Sequence, residues 1–162
     1  MTVILITTIV VFHSCTDTAK EKTSSLYVHP APVELTAQLD SIQQKDSQSV
    51  LFIKLSLVNK TVVPLSYYSM TCSWTTGITC DNKDITPNPN ICFSNWWIKE
   101  NIAPAQSHNY FLTAITKNNL PKKKFRIGFN MVTDVVNDVD SIEHALSAMK
   151  HVVWSNVIHP EH

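Results

Sequence analysis

From residue 33 onward, hydrophobic and polar side chains alternate in short runs. Val33, Leu35, Ala37 and Leu39 alternate with Glu34, Thr36, Gln38 and Asp40, the period of two that sends one face of a strand to a core and the other to water. Residues 40–49 (DSIQQKDSQS) are polar and turn-prone, and then Leu51, Ile53, Leu55 and Leu57 alternate with Phe52, Lys54, Ser56 and Val58. A second strand follows, antiparallel to the first by hairpin logic. Asn59-Lys60 signals a turn, and Val62, Val63, Leu65, Tyr67 and Tyr68 read as extended chain with Pro64 at an edge or bulge. Further strands are predicted over 93–100, over 110–115 and over 151–158. In the second of these, Tyr110, Leu112 and Ala114 share one face and Phe111, Thr113 and Ile115 the other. The clearest alternation sets Phe125, Ile127, Phe129 and Met131 against Lys124, Arg126, Gly128 and Asn130.

One segment has the other period. Ile142, Ala145, Leu146 and Met149 recur at helical spacing, with Asp140 and Glu143 in capping-box register ahead of them. A short helix is expected over 141–150. Many short strands with a single helix before the last predict an all-β fold, an immunoglobulin-like antiparallel β-sandwich over residues 33–158, with a tail over 159–162. No repeat of fixed period is visible.

The first twelve residues, MTVILITTIVVF, carry no charge. The run is too short for a membrane-spanning helix, which needs about 20 residues, and has the length of a signal-peptide core. Ser14 directly before Cys15 resembles the lipobox of bacterial lipoproteins, and that resemblance implies cleavage after residue 14 and lipid attachment to Cys15. Residues 15–32 then form a tether biased to Ser, Thr, Lys and Pro. The expected location is the cell envelope, lipid-anchored, with a periplasmic or secreted protein as the alternative.

Two glycines in 162 residues exclude repeated Gly-rich phosphate cradles. Thirteen basic and thirteen acidic residues give zero formal charge, without the basic excess that binding nucleic acid requires. Nucleic acid is therefore not expected as a partner, and no cofactor is expected. Behind Cys15 stand Cys72, Cys80 and Cys92, so at most one disulfide can form among the three. All three pairings are open on spacing; Cys80 with Cys92, closing the loop DNKDITPNPNI, is the expected one. No C-x-x-C or neighbouring His pair suggests zinc.

Asp134, Asp138, Asp140 and Glu143 lack EF-hand spacing and read as charge at a helix N-terminus. His108 falls in a predicted turn, His144 on the helix and His151 at a strand start, each expected at the surface. Tyr67, Tyr68, Trp74, Trp96 and Trp97 concentrate in SYYSMTCSW and FSNWWIK. Because adjacent strand residues face opposite sides, one ring of each adjacent pair should point outward. Tyr68 and Trp97 are the expected outward pair and the candidate partner-binding residues.

LFIKLSLVNKTVVPL, the aromatic-Cys segment, IAPAQSHNYFL and KKKFRIGF together resemble small bacterial envelope proteins of immunoglobulin-like type without assigned function. The aliphatic strand, the Asn turn and Pro104-Ala105-Gln106-Ser107 before an aromatic strand are also similar to the bacterial intracellular proteinase inhibitor family. The expected function is a non-enzymatic envelope lipoprotein that binds or supports an envelope protein or glycan. The alternatives are a peptidase inhibitor presenting the 81–92 loop and a hydrolase whose site is assembled only in three dimensions.

Overall fold

The computed structural model describes residues 32–89, 95–117, 124–133, 142, 144–146, 148–149 and 151–160. The described residues form nine strands: β1 (Val33–Lys45), β2 (Gln48–Asn59), β3 (Leu65–Met70), β4 (Ile78–Cys80), β5 (Ile85–Pro87), β6 (Trp97–Ile102), β7 (Ser107–Thr116), β8 (Ile127–Asn130) and β9 (Val152–Trp154). One sheet has the order β1-β2-β7-β5. The opposite layer is made of β3-β6 and β4-β8-β9, joined where Tyr68 pairs with Val132 just beyond β8. All named pairs are antiparallel. With β3 and β4 taken together as the third strand and β6 as an addition beside it, the two layers follow the A-B-E-D and C-F-G orders of an immunoglobulin-type sandwich.

β2 supplies the floor of the core. Leu51, Ile53, Leu55 and Leu57 are each at most 1% exposed, and they share one cluster with Leu112 and Ala114 of β7 and with Tyr67, Ile102, Ile127 and Phe129 of the opposite layer. A second, smaller cluster of Val132, Ile142 and Leu146 covers the outside of that layer. Residues 142 and 144–146 are helical, as the i, i+3, i+4 spacing predicts, but residues 148–149 turn, Met149 with φ of 47°, so the helix stops short of the expected residue 150.

The expected turn over 40–49 is largely strand. β1 continues to Lys45, and only Asp46 and Ser47 turn, Asp46 with φ of 54°. The register against β2 steps by one residue between Leu39 and Ser41, so that Leu39 lies opposite Ile53 and Ile42 opposite Leu51. This bulge sets the successive inward side chains Leu39 and Ile42 three positions apart and hides the period of two. Val62 and Val63, expected in a strand, are instead exposed in the β2–β3 turn, Val62 at 91%.

Asn59 explains that turn. It is fully buried, and its carboxamide donates to the carbonyls of Val63 (2.8 Å) and Ile102 (2.9 Å) while accepting from the Thr61 amide and hydroxyl. All four of its side-chain bonds are made, and they join the end of β2 to the end of β6 across the two layers. Replacing Asn59 by Ala removes all four of these bonds, the buried one to the Ile102 carbonyl among them, and a loss of about 2–4 kcal/mol is expected in urea denaturation; a loss within 0.5 kcal/mol, about that of an ordinary surface substitution, would contradict this role.

Candidate functional site

β2 and β7 are the two central strands of the first sheet, and their alternation gives it an apolar outer face. Phe111 points away from the core and is 76% exposed. It lies opposite Lys54, while Thr113 lies opposite Phe52 and Ile115 opposite Val50. Phe52, Val50 and Ile115 are half-buried on the same face. At the hairpin end, Lys45, Gln48, Val50, Asn88 and Thr113 line a shallow pocket of about 380 Å³. An aromatic and aliphatic stripe in mid-sheet, flanked by Lys54 and Thr113, can cover the apolar face of a protein or sugar partner.

The inner faces bring together a polar group of a different kind. The Tyr67 hydroxyl is hydrogen-bonded to Nδ1 of His108 at 3.0 Å and to the Tyr110 hydroxyl. Glu100 Oε2 stands 3.9 Å from the same His108 nitrogen. Tyr110 also packs on Trp74, ring centres 4.7 Å apart, and on Phe129 at 5.6 Å. Burial raises the Tyr67 phenol well above its ordinary range, assisted by its bond to Tyr110, by the Tyr110 charge and then by Glu100. Tyr110 is raised too, first by burial, with Tyr67 opposing and Glu100 adding. The two hydroxyls therefore stay protonated and act as a hydrogen-bonded brace between β3 and β7.

His108 is thus not in a turn but on β7, half-buried. Carrying the Tyr110-Leu112-Ala114 alternation back by two residues is the signal that finds it.

The expected outward rings are placed differently. Tyr68 and Trp97 do lie on the face opposite the main core, but they are half-buried because Val132, Ile142 and Leu146 pack over them. The free ring of the Trp96-Trp97 pair is Trp96, 72% exposed and immediately before β6. The expected Cys80–Cys92 bridge is corrected as well. Cys80 is a free thiol and Cys72 is disulfide-bonded; Cys15 and Cys92 lie outside the described residues. Cys80 packs against the core, and burial raises its thiol pKa, with the Asn82 amide opposing and Asp81 adding.

Ile85–Pro87, inside the 81–92 segment, is held in a sheet rather than presented as a loop. β5 pairs with β7, and Ile85 is 3% exposed. Asp134, Asp138, Asp140 and Glu143 lie outside the described residues, among which no group of three or more His, Cys, Asp or Glu side chains is placed to hold a metal. His144, His151 and His159 are exposed. Pro160, in the expected tail over 159–162, is buried.

No protein-family model matches the chain, and no curated protein matches it. Among solved structures, the crystal structure of the YjhA protein from Bacillus subtilis is similar over 74% of this chain and 87% of its own length, with 11% identity and a TM-score of 0.34. The strand order given above comes from this chain's own pairing.

Two outcomes follow from the buried hydroxyls and thiol. A phenol that holds its proton more tightly when folded contributes stability that is complete below its unfolded value of 10.0 and is lost as pH rises beyond it. Stability should fall steeply above about pH 10, with a shallower slope in Tyr67→Phe; equal slopes would contradict the brace. At pH 8, iodoacetamide should label Cys80 slowly in the native protein and fully after unfolding, while Cys72 stays unlabelled until reductant is added. Labelling of Cys72 in unreduced, unfolded protein would refute its disulfide.

Proposed function

We propose that this chain is a non-enzymatic binding module of the cell envelope, anchored by lipid on Cys15 and contacting an envelope protein or glycan through the outer face of β2 and β7. The observation that carries this reading is Phe111, 76% exposed at the middle of a sheet rather than at its rim. Phe111 leaves a large apolar ring in water, and Phe52, Val50 and Ile115 extend its surface across both central strands. A contiguous patch of this kind is a common mark of an interaction surface. The leader and the polar residues 16–32 support the envelope placement, since a tethered domain can reach a partner without itself entering the bilayer.

A photoreactive residue at Thr113, in cells, is expected to capture a neighbour, and Phe111→Ala to reduce that capture by about 30-fold, the effect of losing an anchor worth about 2 kcal/mol. Unfolding stability should stay within about 0.5 kcal/mol of the parent. Undiminished capture would refute the surface. Separately, Cys15→Ala should move the protein from the membrane to the soluble fraction, and unchanged fractionation would refute the anchor.

A further inference from the structure

Away from the sheet face, a cleft of about 610 Å³ opens between β1 and β9, the edge strands of the two layers. Val33 and Leu35 form one wall, and Val152, Val153 and Trp154 the other. The backbone of both walls is oriented by bonds at their ends. The Ala37 amide donates to Asn156 Oδ1 at 2.8 Å, and the Ala37 carbonyl accepts from Asn156 Nδ2 at 3.1 Å. In a strand, the peptide groups of alternate residues point to the same side. Val33 and Leu35 therefore turn theirs toward the cleft, as Ala37 does, while Glu34 and Thr36 face β2.

On β9, the Met131 amide donates to the His151 carbonyl and the Ser155 amide to the Ile127 carbonyl. Residues 151, 153 and 155 thus face β8, which leaves the peptide groups of Val152 and Trp154 toward the cleft. Among the described residues, these outward groups have no partner.

Two rows of unpaired amides and carbonyls flanking an apolar floor have the form of a missing strand. Asn156 shows what the edge accepts. Its carboxamide, with one donor and one acceptor used, docks on Ala37 as a peptide group would, and it closes the slot at that end. The floor carries no charge, and the charges at the rim, Glu34 and Lys60, are paired with each other. The Trp154 wall is held in place: Arg126 lies over its ring at 5.2 Å, and Val152 and Trp154 pack so closely over Gly128 that an added Cβ there would meet Val152 at 2.5 Å.

We propose that the β1–β9 cleft takes up an uncharged, extended segment of another polypeptide as an added strand. Residues paired with Val33 and Leu35 share their core-facing side, so the segment is apolar at every second position, and the residue between them, opposite Glu34, faces water. About three residues fill the slot.

The test is amide hydrogen exchange by NMR on the full chain with the blocked peptide acetyl-Thr-Val-Thr-Val-Thr-Val-amide as probe. The peptide should slow exchange at Val33, Leu35, Val152 and Trp154 by at least about tenfold, with Leu55 as the internal measure of folding. Versions N-methylated at each Val, or with Asp in place of Val, should have no effect. In Asn156→Ala, protection by the probe should extend to Ala37. No protection by the probe at any of the four amides would overturn the proposal. Protection already present without peptide would also overturn it, assigning the cleft to the chain's own earlier residues if independent of protein concentration and to a second copy if it rises with concentration.

Discussion

Everything in this fold is arranged around the two-sided commitment of β2. Its backbone is hydrogen-bonded to β1 on one edge and β7 on the other, and its inward side chains are shut off from water. A strand so placed cannot slip by one residue, because that would turn Leu51, Ile53, Leu55 and Leu57 to solvent at a cost of about 1.5–3 kcal/mol for each. Its fixed register sets which face of β7 carries Tyr110 and Leu112 and which carries Phe111. It also sets where the first sheet must end, at β1, and so leaves an edge whose remaining peptide groups are turned away from β2.

Three buried or bridging asparagines finish what the strands leave undone. Asn59 joins the β2 and β6 ends. Asn130, 1% exposed, donates to the Leu146 carbonyl at 2.7 Å and accepts from the His151 amide, linking the helical residues to the β8–β9 ladder. Asn156 spans from beyond β9 to β1. In each case a side-chain amide stands in for a backbone one where the sheet geometry fails, which is how buried backbone groups remain satisfied at strand ends.

What could be read from the chain beforehand follows from how each element is specified. β2, β7 and β8 are legible because burial on one face writes a period of two into the sequence. The second half of β1 is not, because a bulge shifts the phase at Leu39–Ser41 and residues 43–45 beyond it are exposed on both faces. β4 and β5 have three residues each, too few to show a period. Asn59 reads as a turn residue, which it is, but nothing local tells that its carboxamide is buried between layers. The outward rings depended on a tertiary contact: alternation places Tyr68 and Trp97 on the outer side, and only the helix packing reveals that this side is covered. The expected Cys80–Cys92 pairing fails for the same reason, since spacing carries no information on where a side chain points.

The central structural claim is that the sandwich closes along β2 and β7 but stays open between β1 and β9. Residue-resolved amide exchange of the full chain alone tests it most directly. The account predicts an alternating record, with Glu34, Thr36, Val153 and Ser155 protected and Val33, Leu35, Val152 and Trp154 exchanging rapidly. Continuous protection through both strands, or the opposite phase, would contradict it.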